Sequence, residues 1–301
     1  MAHVTRQLIR GIKLGDKLSI NQHNQEGGSP YALPDMLRKA YLDAGYGDLP
    51  TNRDEAVDRG AKTWNGAQVA INKLAVVDGV IHGNLVTLPW MYSQAMNDLY
   101  NMRMPNTLLA RISPNFLHVS LLAQVMYKGA LCLVGQVRGD VIGKGELQTA
   151  LCAGSMNKAC AIAGDDMIIQ GLEDNLMREI GLNLGCLNIK PGKILFHEPE
   201  VGRVNLASVS EVYDFEHVRM VFQAHHDSMV TSGSKPECAR LALIPVATDP
   251  FNVVCDNGDS RRYVAKAIEF YDPITKDFGV ADFLCRYLTQ AVIDHLIEAD
   301  L

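Results

Sequence analysis

The pattern of hydrophobic positions separates a polar leader from the rest of the chain. Residues 1–64 contain a polar stretch over 21–30 and too little apolar periodicity to build a core of their own. A terminal segment of this composition stays ordered only when something holds it. We therefore expect an ordered N-terminal arm, laid either across a neighbouring subunit or back on its own domain.

The next apolar segments predict a β-ribbon. Residues 67–77 and 80–88 are rich in Val, Ile and Leu, and Asp78-Gly79 between them favours a tight hairpin turn.

Apolar positions three or four residues apart then predict a helical middle. They recur over 89–102, over 113–129 after the capping pair Ser113-Pro114, and over 172–180. Small residues dominate 146–163, which is typical of a helix that packs closely on its neighbours.

Strand patterns dominate the last third of the chain. Residues 193–197, 217–224, 239–246 and 263–270 have the composition or the alternation of strands. An apolar stripe over 281–297 predicts a long amphipathic helix.

These patterns predict an α+β protein: an ordered N-terminal arm, a β-ribbon, a helical middle, and a sheet-rich C-terminal third closed by a long amphipathic helix. The expected regions are the arm over 1–64, the ribbon plus helical region over 65–190, and the sheet-rich region with its helix over 191–301.

Composition narrows the cellular setting. The 301 residues are 48% hydrophobic and 21% charged, and no run approaches the roughly 18 apolar residues of a membrane span. The seven cysteines form no C-x-x-C pair, so they indicate reduced thiols in a protein without disulfides. Because no hydrophobic signal core follows Met1, we expect no secretion by a signal peptide. We also expect no membrane partner, and a location in a virion or the host cytoplasm.

The net charge of −6 disfavours general binding to nucleic acid, although such contact stays possible. The last third holds 10 basic and 17 acidic residues. A basic stripe, Arg6, Arg10, Lys13 and Lys17, lies in the arm with a spacing of three or four residues. It is either a solvated face or an assembly contact to phosphate or an acidic neighbour.

Gly164-Asp165-Asp166 lies between two apolar segments and resembles the metal-binding turn of viral RNA-dependent RNA polymerases over about ten residues. The resemblance implies that Asp165 and Asp166 bind Mg²⁺. The alternative is that Gly164 ends one helix while an aspartate caps the next.

A histidine cluster gives a second set of metal candidates, because imidazole and carboxylate groups bind zinc or iron. It comprises His217, His225, His226 and Asp227. The alternative is a half-buried strand whose polar face is outward, with neighbouring histidines on opposite faces.

No Walker A loop, dinucleotide fingerprint or nucleophile elbow is present in the sequence, so we expect no cofactor and regard an enzyme as less favoured. The hypothesis is a self-assembling structural subunit, such as a viral or phage capsid protein, that pairs with itself and other structural subunits. A metal-dependent hydrolase or nuclease using Asp165, Asp166, His225 and Asp227 is one alternative. An RNA-coating nucleoprotein is the other, with a basic groove built from Arg6, Arg10, Arg103, Arg111 and Arg138.

Overall fold

The computed structural model describes residues 7–10, 13–14, 19–20, 33–61, 64–139, 145–156, 166–189, 194–246, 253–255 and 263–285. Helices and strands are both abundant in these residues, which confirms the α+β class. The described residues divide into two compact units, and each is treated by itself. None of the helices among them is long and apolar enough to cross a membrane.

The first unit draws its residues from Met1–Val119, Gly154–Gly171 and Pro191–Ala207. Its elements are β1 (Gln7–Arg10), β2 (Lys13–Leu14), β3 (Ser19–Ile20), α1 (Asp35–Asp43), α2 (Arg53–Asp58), β4 (Ala67–Val77), β5 (Val80–Pro89), α3 (Met91–Asn101), α4 (Asn106–Ile112) and β10 (Ile194–Glu198). The core of this unit is apolar, with Leu37, Ala95, Met96, Leu109 and Phe116 fully buried.

The ribbon is confirmed as β4 and β5, which pair antiparallel from Ala67↔Pro89 to Val77↔Val80. Asp78 and Gly79 both adopt positive φ in the turn, as the sequence predicts.

Three short strands of the arm pair with this same unit. Strand β1 pairs antiparallel with β10, whereas β2 and β3 both pair parallel with β5. The described part of the arm therefore lies on strands of its own chain. The polar stretch 21–30 lies outside the described residues.

The second unit draws its residues from Ser120–Ala153, Leu172–Lys190 and Ser208–Leu301. Its elements are β7 (Ala130–Arg138), β8 (Glu146–Gln148), α6 (Phe215–Thr231), β12 (Cys238–Pro245), β13 (Val253–Cys255), β14 (Tyr263–Asp272) and β15 (Asp277–Cys285). Strands β6 (Phe116–Tyr127), β9 (Cys152–Ser155) and β11 (Arg203–Asp214) and helix α5 (Asp166–Glu179) contribute residues to both units.

Five strands of the second unit close a ring. The pairing order is β7–β12–β14–β15–β8, and β8 pairs in turn with β7. Gly135 in β7 allows this closure, because a Cβ there would lie 2.6 Å from the carbonyl oxygen of Gln148. Gly139 is similarly constrained, since its Cβ would lie 2.5 Å from the oxygen of Pro236.

The predicted helix over 113–129 is wrong, because residues 116–127 form strand β6. Nearly every residue of β6 is buried, including side chains on both faces. A strand buried on both faces is a continuous apolar run, which contains the 3.6-residue period by chance.

The predicted helix over 146–163 is wrong in its described part, where residues 146–148 and 152–155 form β8 and β9. The middle of the chain therefore contains both strands and helices and is not purely helical.

The predicted strand over 217–224 is also wrong, because these residues lie in α6. Phe215, Val218, Phe222 and His226 form its buried face at helical spacing, and the side chain of Asp214 caps the helix by accepting from the backbone N–H of Glu216 at 3.1 Å. Residues 281–285, predicted to begin the closing helix, lie instead in β15. The remainder of that prediction, 286–297, is outside the described residues.

The other predictions agree with the structure. Helices α3 and α5 and strands β10, β12 and β14 occupy the expected segments.

Candidate functional site

The predicted metal ligands of α6 are dispersed. His217 is exposed, whereas His225 Nε2 lies 3.3 Å from the backbone oxygen of Arg178. Asp227 accepts a hydrogen bond from Gln223 Nε2 at 2.8 Å. His226 Nδ1 lies 3.9 Å from Asp227 Oδ1, beyond hydrogen-bond range, so these side chains do not converge on one point.

Asp165 lies outside the described residues, and Asp166 is the first residue of α5, whose side chain is not described. Across the described part of the chain, no group of three or more His, Cys, Asp and Glu side chains is placed to hold a metal ion.

The basic stripe of the arm is described in part. Arg10 lies in β1 and Lys13 in β2, while Arg6 and Lys17 fall outside the described residues. Of the arginines proposed for a basic groove, Arg138 is only 8% exposed.

Arg138 belongs to a group that we call the ionic cluster, in which Gln136, Arg138 and Glu179 are buried while Arg178 and Glu237 reach the surface; all five lie in the second unit. Strand β7 supplies the first two residues, the last turn of α5 supplies the next two, and Glu237 immediately precedes β12. Sequence reasoning missed this cluster, because its members lie on three separate segments. The available signal was the position of Arg138 at the end of a largely apolar stretch.

Glu179 is the centre of the ionic cluster and is 1% exposed. Its Oε2 accepts from Gln136 Nε2, and its Oε1 accepts from Arg178 Nη2 at 3.1 Å. Arg138 Nη1 lies 3.6 Å from Glu179 Oε2. Arg178 also donates to Glu237, so each carboxylate of the cluster faces a guanidinium.

Burial dominates the electrostatics of the cluster. It raises the pKa of Glu179 above its usual value, while Arg138, Arg178 and the Gln136 amide oppose that shift. Burial likewise raises the pKa of the Cys238 thiol, and the negative charge of Glu179 adds to this shift. A thiol held neutral in this way is a poor nucleophile.

A second feature of this unit is exposed and apolar. Gln223 Nε2 donates to the oxygen of Pro273 at 3.0 Å, and Lys276 Nζ lies 3.8 Å from Asp227 Oδ2, so the β14–β15 turn rests beside α6. Met220 and Val230 on α6 and Ile274 in the turn are 59%, 55% and 78% exposed. We call these three side chains the hairpin–helix surface.

No family model matches the sequence, and no curated protein matches it. Among solved structures, a MutT/nudix family protein from Enterococcus faecalis is similar, with 10% sequence identity and a TM-score of 0.34. The similarity covers 68% of this chain and 74% of that protein. A TM-score of this size does not establish a common fold.

Proposed function

We propose that this chain is a self-assembling structural subunit, such as the capsid protein of a virus or phage. The observation that supports the proposal is the hairpin–helix surface. Covering a large apolar side chain contributes about 1.5–3 kcal/mol, so burying these three exposed side chains would favour association. The chain length is also typical of coat subunits.

The occupant of the hairpin–helix surface in this proposal is a second copy of the chain. Lys276 and Asp227 lie beside the surface, with side chains 64% and 53% exposed. A surface that carries one acid and one base is complementary in charge to itself, because Lys276 of one copy can face Asp227 of a second copy. Such a contact joins copies in pairs, and a large assembly needs a further contact beside it.

The test is light scattering on a sizing column, with the ultraviolet absorbance ratio recorded across the peak. We expect wild-type protein to elute as a large uniform assembly with protein-like absorbance, and Ile274→Asp to elute as a smaller species. Val77→Asp is the matched control, because Val77 is 53% exposed but lies at the β4–β5 turn of the first unit. A monomeric wild-type protein would contradict the proposal.

The same column tests the nucleoprotein alternative. An assembly rich in nucleic acid would support that alternative, which would need a groove without the buried Arg138. If Ile274→Asp assembles like wild type, the subunit proposal stands and this surface does not carry the assembly.

A further inference from the structure

The ionic cluster holds hydrogen-bond donors that no residue in the described part of the chain satisfies. Arg138 Nε and Nη1 are both buried without a hydrogen-bond partner, and the 3.6 Å between Nη1 and Glu179 exceeds hydrogen-bond range. Gln148 Nε2 is also buried without a partner, on a side chain only 7% exposed. Buried donors of this kind are rare and call for a partner.

These donors share one face of the β7–β8 pair. Gln136 lies opposite Gln148 in the register, and Arg138 follows two residues along β7, so the three side chains extend from the same side. Gln136 and Arg138 both approach Glu179 Oε2. The unsatisfied groups are therefore neighbours within one small region.

Gln136 Oε1 is an unsatisfied acceptor in the same region. The orientation of this amide is fixed, because its Nε2 donates both to Glu179 and to the backbone oxygen of Leu151 at 3.2 Å. A matching ligand must therefore offer several acceptor oxygens and at least one donor hydrogen.

We propose that this face binds inorganic phosphate in a protonated form. Its unprotonated oxygens accept from Arg138 and Gln148, and its P–O–H group donates to Gln136 Oε1. Glu146 and Gln148 are two residues apart in β8 and therefore lie on the same face, where a carboxyl group disfavours a doubly charged anion and favours the singly charged dihydrogen ion. The burial of these side chains suits a free ion rather than a phosphorylated macromolecule. Sulfate has a similar size and shape but no proton to donate at neutral pH, so it leaves Gln136 Oε1 unsatisfied.

The test is titration calorimetry with inorganic phosphate and with sulfate, in a chloride buffer of matched ionic strength. We expect heat of binding for phosphate and at least about tenfold weaker binding for sulfate. Arg138→Lys keeps the charge but removes the guanidinium donors, and it should abolish the phosphate response. Arg240→Lys is the matched control on neighbouring β12, where Arg240 lies over the ring of Phe270.

Three results would overturn the proposal: no phosphate binding by wild type, equal binding of sulfate, or binding retained in Arg138→Lys. If Arg138→Lys does not fold, Gln148→Leu removes a different donor and should weaken phosphate binding at least about threefold while leaving Arg138 in place. Wild-type affinity for phosphate in Gln148→Leu would contradict the site equally.

Discussion

At the residue scale, Glu179 is a strongly constrained side chain of the second unit. It is the last residue of α5, where the negative end of the helix dipole disfavours a carboxylate, and it is almost fully buried. Arg138 and Arg178 compensate both effects. A buried charge that depends on its partners is costly to leave alone.

We therefore expect Glu179→Gln to reduce the free energy of unfolding by about 3 kcal/mol. The new amide would present N–H groups to Arg178 and Gln136, which are themselves donors. Urea denaturation at neutral pH measures the loss. The matched control is Glu216→Gln, because Glu216 pairs with Arg219 in an exposed position and should cost less than about 1 kcal/mol. Equal losses in the two variants would contradict the assigned role of burial.

Glu269 provides a pH-dependent prediction. Burial raises its pKa, but hydrogen bonds from Lys128 at 2.7 Å and Tyr127 at 2.6 Å outweigh burial, and the net pKa is lowered. An acid with a lowered pKa stabilises the fold above its usual pKa, and this contribution is lost as the pH falls through the lowered value.

Tyr127→Phe should therefore cost about 1 kcal/mol at pH 7, and the difference from wild type should shrink at a pH below the lowered pKa of Glu269. Unfolding in urea at the two pH values measures this change. Tyr271→Phe serves as control, because its hydroxyl donates to the neutral Gln223 at 2.6 Å and accepts from Arg219 at 3.2 Å, and neither partner titrates at acidic pH. A Tyr127→Phe difference that is independent of pH would argue against the Glu269 contact.

At the scale of elements, the end of α5 depends on Gly181. Its N–H bonds to the oxygens of Leu176 and Met177, its φ is +77°, and a Cβ there would lie 2.5 Å from His225 Cβ. Gly233, which follows α6, has a φ of +76° but no atom within 4 Å of such a Cβ. A comparison of alanine substitutions at the two glycines therefore separates the cost of the left-handed backbone conformation from the cost of steric overlap.

Gly181→Ala should lower the free energy of unfolding by about 3 kcal/mol, through left-handed strain plus overlap. Gly233→Ala should show the strain alone, about 1 kcal/mol. Thermal unfolding of both variants tests the difference, and similar midpoints would mean that His225 moves aside at little cost.

Elements also show where sequence reasoning succeeds and fails. The β4–β5 ribbon was predictable because Asp78-Gly79 fixes its turn locally. Strand β6 was not, since burial of both its faces erases the two-residue alternation. In α6, short polar and apolar alternation imitated a strand, and the capping Asp214 was the missed signal.

At the scale of the whole molecule, most of the candidate chemistry was unpredictable. Those acids and histidines from the local motifs that the structure describes form no metal-binding group, while the ionic cluster joins β7, α5 and the segment before β12. Residues this far apart in sequence leave no spacing to recognise. The hairpin–helix surface could not be predicted either, because the sequence does not show which side of α6 is covered.

The arm should be tested by deletion of residues 1–20. Because β1, β2 and β3 cover edges of β10 and β5, their removal should leave two unpaired strand edges and cause progressive, non-specific aggregation. Light scattering followed over hours, beside full-length protein, measures this effect. If the truncated chain does not aggregate, the pairings of β1, β2 and β3 are dispensable for solubility. A loss of assembly in that chain would then be attributable to the missing arm and not to aggregation.

The ring of the second unit closes through β8, a strand of only three residues. It is held by Gln136↔Gln148 and Val137↔Leu147 on one side and by Leu284↔Glu146 and Cys285↔Leu147 on the other. The amide hydrogens of β8 should exchange with solvent deuterium well before those of β12 and β14, because few pairs hold this strand. Because Gln148 lies in β8, each local opening of this strand would also release a bound phosphate. Saturating phosphate should therefore slow the exchange of the β8 amide hydrogens first.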